Sequence, residues 1–109
     1  MFVTNLSSAA SNWFEVLQTT PRSQTAVMNL APGEASGASL EAHPISDQVL
    51  LVLEGEVMAH VAEETARLRR GDLILVPAGV DHRFHNTSDQ EARAFTVYAP
   101  PAYPAGTRG

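Results

Sequence analysis

At 109 residues, with 44% hydrophobic and 17% charged content, the chain is one folded domain, too short for two. It has no cysteine, which excludes a disulfide framework and a thiolate zinc centre alike. A formal net charge of −5 argues against nucleic acid as a partner, and the lack of any lysine excludes Schiff-base chemistry and leaves anionic groups on a ligand to arginine or backbone amides.

From the N-terminus, Met1 to Ser8 shows no basic stretch followed by an apolar run, so no signal peptide is read. No apolar stretch approaches the roughly 20 residues of a membrane span, and a cytoplasmic protein without a membrane partner is expected. Ser7 to Trp13 is the best helix candidate, short and poor in helix formers. Strands are expected near 13–18, 23–30, 38–43, 48–53, 56–62, 65–70, 73–76, 82–86 and 92–99, separated by Pro, Gly and Asn/Asp turn sites. Within 62–68, Leu68 alternates with arginines and Gly71 follows soon after, which favours a hairpin over a helix. Arg67, Arg69 and Arg70 form the one basic cluster and read as a solvated strand edge. Pro100 to Pro104 cannot enter a central ladder and is expected to run extended over the surface.

So many short strands imply an all-β domain closed as a barrel or a two-sheet jelly roll, which removes exposed edges. Alternation then sets the inward side chains: Gln48, Leu50 and Val52 on one strand; His82, Phe84 and Asn86 on another; Ala26, Met28 and Leu30 on a third. Glu41 and His43 are two apart, so a strand would aim both at one face. With Gln48 and His82 they make four oxygen and imidazole donors, a transition-metal type of set.

Gly71, Pro77, Gly79, His82 and Asn86 occupy every fixed position of the second cupin motif, and 35–55 resembles the first. There Glu41 takes the first histidine position, His43 the second, Gln48 the glutamate position and Gly55 the closing glycine, while Ala35 replaces an expected glycine. At closer range Thr19 to Gln24, Glu41 to Gln48 and Tyr98 to Pro101 resemble a group of small single-domain bacterial cupins, the mannose-6-phosphate isomerase-like subgroup. The resemblance implies a single cupin domain over 1–109, a double-stranded β-helix with motifs at 35–55 and 71–86. It further implies one divalent transition metal (Fe, Mn, Ni or Zn) on Glu41, His43, Gln48 and His82. A buried carboxylate beside two imidazoles would be costly without a cation, which argues for retained metal.

The expected function is a metal-dependent enzyme of oxygenase, lyase or isomerase type acting on a small organic molecule in the barrel. The alternatives are a non-catalytic module binding or sensing a sugar or other small ligand, and a metal-free structural cupin. His85 is expected on the opposite side from His82, and His60 away from the site. Asp47 and Asp81 are expected in turns, Asp81 alternatively bonding a ligand histidine. Arg83 and Arg93 are expected in surface ion pairs, or else on an acidic substrate. Trp13 and Phe14 are expected as an apolar plug, or else along a substrate opening, and Tyr98 as a packing residue with a bonded hydroxyl, or else a general acid. A homodimer is expected, with the apolar strand from Trp13 to Leu17 against the second subunit.

Overall fold

Runs of β-branched and large apolar residues punctuated by glycine and proline build two facing antiparallel sheets in the computed structural model, which describes residues 1–9 and 12–109. Eight strands follow a 3₁₀ turn at Leu6–Ala9: β1 Phe14–Thr19, β2 Gln24–Leu30, β3 Asp47–Glu54, β4 Glu56–Val61, β5 Glu64–Arg69, β6 Leu73–Val76, β7 His82–His85 and β8 Ala92–Ala99. The larger sheet has the order β1-β2-β8-β3-β6, the smaller β5-β4-β7. This is an all-β jelly roll of one domain. Of the helix expected over 7–13, the first residues form the 3₁₀ turn and residues 10–11 lie outside the described residues. Among the described residues, no helix is long and apolar enough to cross a membrane.

Strand parity behaves as the alternation requires. Gln48, Leu50 and Val52 are buried between the sheets, as are His82, Phe84 and Asn86 and the set Ala26, Met28 and Leu30. The larger sheet contributes Phe14, Val16, Met28, Leu30 and Leu50 to the core; the smaller contributes Val57, Ala59, Leu68 and Phe84. Residues 62–68 do form a hairpin, with β4 and β5 paired from Glu56↔Arg69 to Val61↔Glu64. Arg67 and Arg69 lie on its solvated edge beside the Glu56 carboxylate, at 2.9 and 3.7 Å.

Two expectations are corrected. The segment 38–43 is not a strand: its one bridge to β7 is the isolated Glu41↔His82, and a second isolated bridge, Ala35↔His85, precedes it. Ser36 bonds Phe84 and Glu41 bonds His82, so the chain from 36 to 41 lies opposite only 84 to 82 and must loop outward between those ties. The C-terminal tail is also more than a surface strap. Val16 N donates to the Thr107 carbonyl at 2.8 Å and Gly109 N to the Phe14 carbonyl at 2.8 Å, so the tail pairs with β1 past its prolines. Phe14 and Val16 of β1 turn into the core.

Candidate functional site

Gln48 on β3 and His82 on β7 face each other across the sandwich because each holds an inward position of its strand. The looped segment brings His43 and Glu41 to the same end. Glu41 and His82 exchange backbone hydrogen bonds of 2.9 and 2.8 Å, and Gly79 N donates to the His43 carbonyl at 2.8 Å. Arg83 Nε donates to the Gly37 carbonyl at 2.6 Å, and Phe84 N to Ser36 Oγ at 2.9 Å, pinning the loop from beneath.

The rings of His43 and His82 have centroids 5.0 Å apart, and Tyr98 lies 5.0 Å and Tyr103 5.6 Å from His43. His82 Nδ1 is 3.0 Å from the Val80 carbonyl oxygen. A carbonyl only accepts, so Nδ1 carries a proton, and in the neutral ring the free lone pair is then on Nε2. That is the state a metal-ligating imidazole needs.

Gln48 is oriented by the same logic. Thr96 Oγ1 gives its proton to the Val49 carbonyl at 2.9 Å and therefore accepts from Gln48 Nε2 at 3.0 Å. The Tyr98 hydroxyl accepts a second amide proton at 3.3 Å. The amide oxygen Oε1 is left buried with no hydrogen-bond partner. Such an orphan costs about 1–3 kcal/mol unless something fills its lone pairs.

Burial, and secondarily the neighbouring His82, hold the His43 imidazole below its ordinary value of 6.5. Burial pushes the Tyr98 phenol well above 10.0, with the Tyr103 phenol adding to it, and burial likewise raises Tyr103. The acid side follows from His43. The unfolded chain takes up its proton at a higher pH than the folded one, so this stability is whole above 6.5 and is lost as pH falls below it. Melts of chelator-treated protein between about pH 8 and about pH 5 should show that decline, shallower in His43→Gln.

All four predicted ligands line one pocket, together with Ser36, Trp13, Phe14, Met28, Phe84, Tyr98 and Tyr103. They are not equivalent. Gln48 and His82 are buried and His43 is half-buried, whereas Glu41 is exposed, with its carboxylate folded over Gly37. The premise of a buried carboxylate therefore fails; in the pocket lining the buried uncompensated atom is Gln48 Oε1. Among the described residues, no three His, Cys, Asp or Glu side chains form a group that could hold a metal ion.

His85 lies on the outward side of β7, with Nε2 3.2 Å from the Gly33 carbonyl, and His60 does not line the pocket. Asp47 is exposed and accepts from Ala78 N at 3.0 Å, bracing the Pro77–Gly79 turn. Asp81 is exposed on the same turn. Arg83 and Arg93 make no ion pair among the described residues; they donate to the Gly37 and Leu6 carbonyls. Trp13 and Phe14 both line the pocket, and Phe14 is also part of the core.

Tyr103 was missed by sequence reasoning. Buried Gln24 holds it by three bonds: its amide oxygen accepts from Ala102 N and Tyr103 N, and its nitrogen donates to the Tyr103 carbonyl. The available signal was a glutamine at an inward strand position, which demands partners.

The cavity volume is about 20 Å³, against roughly 10–15 Å³ for one ordered water. It accepts an ion with its water, or a small head group. Its lining includes no arginine.

The comparisons with known proteins agree with this fold. An uncharacterised protein of Bacillus subtilis, YrkC, is 33% identical over 97% of this chain and 61% of its own length. Tetracenomycin polyketide synthase protein TcmJ of Streptomyces glaucescens is 35% identical over 67% of this chain and 48% of its own. The chain spans between 37% and 61% of the length of the curated relatives it matches. The crystal structure of BH2720 from Bacillus halodurans superimposes with a TM-score of 0.88 at 30% identity, over 98% of this chain and 86% of that one. Residues 26–98, which carry Glu41, His43, Gln48 and His82, match the cupin domain family, and this chain belongs to it.

Proposed function

We propose that this protein is a metal-dependent cupin in which His43, His82 and Gln48, with Glu41 at the rim, hold one divalent transition ion (Fe, Mn, Ni or Zn) against a small uncharged organic ligand. The observation that carries the reading is the orphaned Oε1 of Gln48, beside an imidazole whose Nδ1 proton is already committed. Two neutral imidazoles and an amide oxygen fit a borderline divalent ion, and Glu41 supplies the one nearby negative charge. Bound there, the ion would polarise a ligand oxygen as a Lewis acid, with chemistry of oxygenase, lyase or isomerase type.

The chain's own groups define the rest. Tyr98 and Tyr103 keep their protons at neutral pH and present hydroxyls to the ligand. Trp13, Phe14 and Phe84 form an apolar wall that orients its body and keeps water out. A sugar phosphate, the ligand of the isomerase-like resemblance, would find no arginine in the wall and no lysine in the chain. An uncharged oxygen-bearing head group suits this small, arginine-free pocket better.

Elemental analysis of purified protein should give about one ion per chain, falling to near none in His82→Ala while the fold persists. Protein that stays metal-free after exposure to Fe(II), Mn, Ni and Zn in turn would sink the proposal. It would leave a metal-free cupin, the reading favoured by the exposure of Glu41. With metal bound, oxygen uptake or product formation across a ligand screen marks an enzyme; tight binding without conversion marks a sensing module.

A further inference from the structure

The cavity as it stands is smaller than the guest proposed for it. Its volume of about 20 Å³ only narrowly exceeds the roughly 10–15 Å³ that one ordered water needs, so an ion and an organic molecule cannot share it. Part of the wall must move. Most of it is fixed: Phe14, Met28, Gln48, His82, Phe84 and Tyr98 stand on paired strands. The looped segment below them is tied through Ser36, Gly37, Glu41 and His43.

Tyr103 stands on neither. After β8 the chain next joins a strand at Thr107, whose carbonyl accepts from Val16 N. Among the described residues, no backbone group of 100–106 bonds the backbone of a strand. The polar ties of this span to the sheet come from one side chain. Gln24, 1% exposed, accepts at Oε1 from Ala102 N at 3.2 Å and from Tyr103 N at 3.1 Å, and its Nε2 donates to the Tyr103 carbonyl at 2.8 Å. That nitrogen also donates to Thr19 Oγ1 at 3.1 Å, which keeps the amide aimed when the other bonds part. The Tyr103 ring packs on Phe14, Tyr98 and His43, with centroids at 4.9, 5.3 and 5.6 Å. Pro104, Ala105 and Gly106 are exposed, so nothing lies over the span from outside.

We infer that 100–106 is the gate of this pocket, with Tyr103 swinging out to admit the organic guest and Gln24 acting as the latch. The inference rests on the pocket being the ligand site proposed above. Tyr103 thereby sets the size of what enters: an ion or a water fits with the gate shut, and any larger body must displace the ring. A span with so few ties is the element that opens at least cost, and its return sheds water from around the guest.

Diethyl pyrocarbonate tests this on metal-free protein at about pH 7, where it transfers an ethoxycarbonyl group to an unprotonated imidazole nitrogen and releases ethanol and carbon dioxide. His82 is 6% exposed and lines the pocket, while His60 and His85 lie outside it and serve as references. Gln24→Met and Tyr103→Ala should each raise the rate at His82 at least about 10-fold relative to the references, because modification tracks the open population. Either variant suffices if the other fails to fold. Tyr103→Phe, which keeps the ring and the latch, should match the wild type. An unchanged His82 rate in the folded variants overturns the inference, and so does an equal rise at all three histidines, the mark of general loosening. No metal takes part, so the elemental analysis judges the ligand site separately.

Discussion

Asn86→Ala is expected to lower stability by about 3 kcal/mol, a fall in Tm of roughly 10–20 °C, without touching the pocket. Asn86 is fully buried and satisfied on both sides of its amide. Nδ2 donates to the Leu30 carbonyl at 2.9 Å and to the Gln90 carbonyl at 2.7 Å, while Oδ1 accepts from Ser88 N at 3.0 Å and Ser88 Oγ at 2.7 Å. Alanine removes all four bonds and strands the buried Leu30 carbonyl, whose desolvation then goes unrepaid. Asn86→Asp should be nearly as harmful, because it keeps the acceptor but turns two donor contacts into carboxylate facing carbonyl oxygens. Thermal melts with parallel metal analysis check both points: stability falls, and the ion content of the folded fraction does not. Loss of metal at unchanged Tm would contradict this role.

Gly55→Ala should cost a comparable amount, about 3 kcal/mol, for a backbone reason. Gly55 turns the chain between β3 and β4 at φ +71°, in the left-handed region, where a Cβ is strained by roughly 1–2 kcal/mol. That Cβ would also press on the Glu91 carbonyl oxygen and Ala92 Cα, backbone atoms that cannot swing away. Overpacking of this kind adds about 1–3 kcal/mol. Gly71→Ala and Gly79→Ala are the controls, since both have positive φ but open space where the Cβ would go. They should lose only the strain, and urea midpoints of the three variants separate the two terms. Equal losses in all three would show that the crowding at Glu91 relaxes.

Both residues are fixed points of the motifs that identify the family, and both turn out to be architectural. That explains what was legible in the sequence. Alternation along β3 and β7 placed Gln48 and His82 inside, because one period governs every residue of a strand. The same reasoning failed at 38–43: whether a segment enters a ladder depends on its partner strand, and here Ser36 and Glu41 tie to residues only two apart on β7. Glu41 is consequently exposed, where strand parity alone would have buried it beside His43. Tyr103 was hidden behind prolines that forbid a central strand but do not forbid docking by side chains, which Gln24 achieves. The outer row of Leu73 and Leu75 could not be told from the inner row, because β6 is apolar at every position.

The outward loop between Ser36 and Glu41 carries an evolutionary consequence. Because the ties to β7 sit at its two ends, residues can be added between them without shifting either histidine, and loop-closure entropy grows only slowly with length. A lineage could therefore redesign the entrance of this barrel, and with it the choice of guest, by simple insertions that leave the load of holding the fold on β3, β7 and β8.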